Sequence, residues 1–70
     1  MSGQAKPVVR AKLTLALTLR CGGVSATVTM EELQANPSLL REIFRDLEGM
    51  GCDVEAARRF IQRGPFARFL

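Results

Sequence analysis

From Val8 to Met30 the chain alternates apolar and polar side chains, broken once by Cys21-Gly22-Gly23. A helix, with its period of 3.6, cannot hold such a pattern on one face, whereas a half-buried strand does so naturally. In the first run, residues 8–20, Leu13, Leu15, Leu17 and Leu19 share one face, and Lys12, Thr14, Thr18 and Arg20 share the other. In the second run Val24, Ala26, Val28 and Met30 face away from Ser25, Thr27 and Thr29. A two-residue glycine turn supplies the positive φ that tight hairpins need. It sets Cys21 opposite Val24, Leu19 opposite Ala26, Leu17 opposite Val28 and Leu15 opposite Met30, with Thr18 meeting Thr27 on the wet face. Turn chemistry and patterning select the same register. The first strand then outruns the second. Val9, Ala11 and Leu13 are left without an intramolecular partner, an open edge of the kind that accepts a strand from another chain. Lys6, Pro7, Arg10 and Lys12 in the same stretch are residues that guard an edge against such pairing.

Beyond Met30 the period changes. Thr29-Met30-Glu31-Glu32 has capping-box spacing and predicts a short helical turn to about Ala35. Asn36-Pro37 reads as the N-cap and first residue of a helix. That helix carries Leu39, Leu40, Ile43, Phe44, Leu47 and Met50 on one stripe, and Gly49 and Gly51 end it. Asp53 caps a further helix with Val54, Ala57, Phe60 and Ile61 inward and Arg58, Arg59 and Gln62 outward, stopped by Gly64-Pro65. The predicted fold is a small single α+β domain of ββαα order, a β-hairpin followed by two to three short helices packed on one of its faces. Residues 1–7 form a flexible N-terminus, 8–64 the domain, and 65–70 an apolar C-terminal tail. In that tail Phe66, Phe69 and Leu70 fall on one face of a helical turn, available to their own domain or to a partner.

Seventy residues allow one core, near the lower size limit for a fold without staples. With 47% hydrophobic and 24% charged residues the chain is too apolar to stay disordered. A second copy would widen so thin a margin, and a homodimer is expected. No apolar run reaches the length of a membrane span, and Met1–Pro7 is too polar for a signal peptide. These features point to the cytoplasm, where Cys21 and Cys52 are expected as buried thiols rather than a bridge.

The residue types exclude much chemistry. There is no histidine, tryptophan or tyrosine. Two cysteines alone fall short of the four donors of a structural zinc site, and neither cysteine has a histidine to activate it. Glu42 and Asp46 lie on the polar face of their helix, and Cys21-Gly22-Gly23 lacks the further glycines and lysine of a phosphate loop. A non-enzymatic protein is expected, with no catalytic residues, metal, cofactor, small-molecule substrate or membrane partner.

Charge is distributed in blocks. Residues 1–30 hold four cations and no acid; residues 31–55 hold all seven acids against Arg41 and Arg45; residues 56–70 hold Arg58, Arg59, Arg63 and Arg68 and no acid. The basic run suggests phosphate contacts, and a helix-turn-helix can be laid over Leu47–Gln62 with Gly51 at the turn. Met50, Cys52, Ala57 and Phe60 then fall where that motif wants apolar residues, but Leu47 takes a position that is normally small. The stretch Leu47-Glu48-Gly49-Met50-Gly51, with Ala57, Phe60 and Ile61, also resembles the first two helices of ubiquitin-associated domains. Cys52 replaces the family's usual aromatic, and a full third helix is missing. The resemblance implies a helical corner, not ubiquitin binding. The favoured reading is a small protein–protein interaction module, a regulator, adaptor or inhibitor of a larger assembly, of the short accessory type carried by phages and plasmids. The alternative is a nucleic-acid-binding regulator that uses Arg58, Arg59, Arg63 and Arg68.

Overall fold

A computed structural model describes residues 6–70; the flexible segment expected over residues 1–7 falls mostly on residues 1–5, outside the described residues. Three antiparallel strands, β1 (Arg10–Leu13), β2 (Leu17–Cys21) and β3 (Val24–Val28), form one sheet in the order β1-β2-β3. The glycine hairpin is present in the expected register, from Cys21↔Val24 to Leu17↔Val28. Of its two glycines only Gly22 has a positive φ, at 60°.

The first run, however, is not one strand. It breaks at Thr14–Ala16, where the Thr14 N–H donates to the Ala16 carbonyl at 3.0 Å, and β1 folds back on β2. Ala11 pairs with Leu19 and Leu13 with Leu17, which corrects the expectation that these residues lack an intramolecular partner. Leu15 does not meet Met30 but sits at the apex of the turn, 99% exposed. Folding back keeps parity, since the odd-numbered residues stay on the covered face on both sides of the turn. It also gives the second edge of β2 a partner for its peptide groups.

Three helices follow, α1 (Met30–Ala35), α2 (Leu39–Gly49) and α3 (Glu55–Gln62), with a last 3₁₀ turn over Ala67–Phe69. Thr29 and Glu32 form the expected capping box: the Glu32 N–H donates to Thr29 Oγ1 and the Thr29 N–H to Glu32 Oε1. α2 begins later than Asn36-Pro37 suggests. Asn36 ends α1, and Ser38 is the N-cap, its hydroxyl 3.0 Å from both Asn36 Oδ1 and Glu42 Oε2. Gly51, with φ 86°, turns the chain out of α2, and the Asp53 carboxylate then accepts from the Glu55 N–H at the start of α3. No helix among the described residues is long and apolar enough to cross a membrane.

The core joins Leu17, Leu19 and Val28 of the sheet to Leu33, Leu40, Phe44, Leu47, Ala57 and Ile61 of the helices. Besides Leu15, three residues expected on covered faces are outside it, Val24, Met50 and Phe60, exposed to 44%, 53% and 45%. Cys21 and Cys52 are joined in a disulfide, not buried as separate thiols. The hairpin register puts Cys21 on the covered face at the end of β2, and the left-handed turn at Gly51 returns Cys52 beneath it. The tail packs on its own domain: Phe66 and Phe69 are buried, and Leu70 lies against the same cluster.

Candidate protein-binding groove

The ladder pattern settles which peptide groups of β1 are free. In a two-residue hairpin the residues flanking the turn exchange hydrogen bonds, so Cys21, Leu19 and Leu17 spend theirs on β3. Thr18 and Arg20 therefore bond Lys12 and Arg10, and the peptide groups of Val9, Ala11 and Leu13 point outward. Two hydrogen bonds agree with this parity, Thr14 N–H to Ala16 within the turn and Val9 N–H to the Asp53 carbonyl at 2.9 Å. The Asp53 N–H returns a bond to the Pro7 carbonyl at 2.8 Å, so the loop between α2 and α3 runs beside the chain at Val8 as a short parallel bridge. Val9 is thus taken on both counts, its side chain buried and its amide bonded. Ala11 and Leu13 are half-buried, and their outward groups bond no other described residue.

Beside this edge lies an open groove of about 630 Å³ between α3 and the β1–β2 hairpin. Buried Leu17, Ile61 and Phe66 form its floor, and half-buried Leu13 borders them. Phe60, Arg59 and Arg63 stand exposed at its rim. The local reason is helical geometry. Phe60 and Ile61 are successive residues on α3, about 100° apart around its axis. Ile61 takes the core direction with Ala57, which turns Phe60 and Ala56 toward the groove. One helical turn links Arg59 to Arg63 at i, i+4, so both guanidinium groups flank the same opening.

The remaining arginines point elsewhere. Arg58 lies over the Phe44 ring at 5.6 Å from its centroid and borders a smaller hollow with Arg41, Arg45 and Glu48. Arg68 lies over the Phe69 ring at 4.9 Å and reaches Met30 Sδ at 4.0 Å. Arg58, Arg59, Arg63 and Arg68 therefore do not make one basic face. A third set of cations, Arg10, Lys12 and Arg20, shares the uncovered face of the sheet with Thr18, Ser25 and Thr27, and Arg10 stands directly opposite Arg20. No group of three or more Cys, Asp or Glu among the described residues could hold a metal ion.

Of the residues singled out from sequence, Leu13, Arg59 and Arg63 come together at the groove, while Phe66 contributes only to its floor. Phe69 and Leu70 close the core on another side, with Phe69 buried. Sequence reasoning assigned Phe60 to the core. The spacing of Phe60 carried no signal against this, since the adjacent pairs Leu39-Leu40 and Ile43-Phe44 of α2 both pack in or against the core. Comparison with protein-family models, with curated proteins and with solved structures gives no match for this chain.

Proposed function

We propose that this protein is a small non-enzymatic protein-interaction module, a regulator, adaptor or inhibitor of a larger assembly, which holds its partner at the groove between α3 and β1–β2. One observation carries the reading: an exposed phenylalanine, Phe60, stands over an apolar floor between two unburied arginines. Protein interfaces concentrate their energy in such aromatic and arginine anchors around an apolar centre. The test is capture of partners from nuclease-treated lysate of the source cells. Phe60→Ser and Arg59→Glu, both at exposed positions, should each abolish capture of a partner that the parent protein retains. Retention of the same partner by both variants would remove the groove from the reading.

Self-association belongs to this reading through β3 rather than β1. Antiparallel pairing of two β1 edges about Lys12 sets lysine against lysine, and pairing about Ala11 sets Arg10 against Lys12; like charges directly opposite destabilise a sheet. Two β3 edges paired about Ala26 meet as Ser25 with Thr27 and Val24 with Val28, with no conflict. Ser25→Pro removes an outward N–H and keeps the β2 backbone ladder and the Thr18–Thr27 contact, so it should shift a dimer toward monomer in sedimentation.

The second reading, a nucleic-acid-binding regulator, is favoured by the acid-free sheet face of Arg10, Lys12 and Arg20. It requires duplex binding that weakens steeply with salt and a smaller slope in Arg20→Ala. A cytoplasmic setting would keep Cys21 and Cys52 reduced, while the bridge suits an oxidising one. Mass spectrometry of protein alkylated at cell lysis separates the two.

A further inference from the structure

We propose that the partner segment is an extended, acidic peptide that adds as a fourth strand to the outer edge of β1 and lays alternate side chains into the groove. The inference rests on the protein-binding reading of that groove and specifies its occupant. Three observations carry it. The outward peptide groups of Ala11 and Leu13 offer two N–H donors and two carbonyl acceptors with no partner among the described residues. The Val9–Asp53 hydrogen bond ends the free edge on one side and the Thr14–Ala16 turn ends it on the other. The open stretch Ala11–Leu13 is therefore about 10 Å long at roughly 3.3 Å per residue, enough for a short strand and no more.

Charge selects the peptide. Side chains of an added strand alternate between the two faces of the sheet. On the covered side they enter the groove rimmed by Arg59 and Arg63; on the other they stand beside Arg10 and Lys12. Both sides are cationic: residues 1–30 and 56–70 contain no acid, and Glu55, one helical turn before Arg59, is a single negative charge against Arg10, Lys12, Arg59 and Arg63. A basic or neutral strand would leave the new ladder with a net positive charge on both faces, while acidic residues on either side would meet it. The same arithmetic rejects a second copy of β1. An apolar residue at a groove-facing position would lie over Leu17, Ile61 and Phe66 beside Phe60. The recognised pattern is thus acids on both faces about one central apolar anchor, in strand addition.

Panning a random octapeptide display library over the immobilised protein tests this, with an Arg59→Glu/Arg63→Glu double variant as the counter-screen. Both substitutions are on the exposed rim, and circular dichroism checks that the variant folds. Selected sequences should be rich in Asp and Glu around an apolar residue, and their recovery should fall at least tenfold on the variant. Amide exchange at Ala11 and Leu13 should slow at least tenfold in the complex. Enrichment of neutral or basic sequences, indifferent to the charge reversal, overturns the acidic occupant while leaving the groove as a binding site. Acidic sequences that bind without protecting Ala11 and Leu13 overturn strand addition. If no sequence is enriched over bare support, both this inference and the groove's role in binding fail.

Discussion

The two hairpins that share β2 are specified by different means. β2–β3 turns on a glycine at φ 60°, matches hydroxyl to hydroxyl across Thr18 and Thr27 at 3.3 Å, and is tied at its turn end by the Cys21–Cys52 bridge. β1–β2 turns at Thr14-Leu15-Ala16 with no glycine or proline, leaves Leu15 bare, and sets Arg10 opposite Arg20. Its pairing is therefore not the product of local chemistry. α3 packs against β1, and the Asp53 backbone holds Val9 in place. A strand with a poor turn and a repulsive pair can still have one fixed position when tertiary contacts hold it.

The largest test of this contrast is the bridge. Cys52→Ala, or reduction of the parent, should lower stability by about 3–4 kcal/mol if the chain-entropy account holds for the 31-residue separation. Urea denaturation with and without reductant measures it, and coincident curves would show that the bridge does not tie the hairpin to the α2–α3 loop. Next comes the glycine turn. Gly22→Val places a β-branched residue at positive φ and should cost about 1–3 kcal/mol, although a Cβ there meets nothing within 4 Å. Gly23→Val, at negative φ, should cost clearly less, and equal losses would mean that space rather than φ governs the turn. Arg10→Glu should act in the opposite direction. It replaces a like-charge cross-strand pair by an opposite one and should raise stability by about 0.2–1 kcal/mol, an effect that fades in high salt. Destabilisation at low salt would mean that Arg10 makes a favourable contact elsewhere. Leu15→Ser should be the mildest, within about 0.5 kcal/mol of the parent in thermal melts, because the side chain is fully in water. A larger loss would place Leu15 against the domain.

The same contrast explains what could be read from sequence. The Gly22-Gly23 register, the capping box at Thr29 and the inward stripe of α2 from Leu39 to Leu47 each follow from local signals that agree with one another, and the structure contains them, with Met50 the one stripe residue left outside. The fold-back at Leu15 left no such signal. Alternation records which face a residue takes, and a turn that preserves parity leaves the alternation unchanged. Pairing Cys21 with Cys52 needed the position of the α2–α3 loop, which no local pattern contains. At the groove, Leu13, Arg59 and Arg63 were visible as candidates by residue type. Their convergence depended on α3 lying beneath β1, and Phe60 was hidden by an apolar spacing that fits core and rim alike.

The bridge between Val8 and Asp53 also bears on the order of events in folding. Contacts in both hairpins join near neighbours in the chain, but only β2–β3 has a turn glycine at positive φ and needs nothing from downstream to close. β1, by contrast, is synthesised before β2, yet the loop that holds it exists only after α2 and the corner at Gly51 have been made. β1 is then expected to be fixed after the strand that follows it in the chain. Val9→Ala should accordingly accelerate unfolding while leaving the refolding rate close to that of the parent, a φ-value near zero in stopped-flow experiments. A refolding rate that falls as far as stability does would instead put β1 in the folding nucleus.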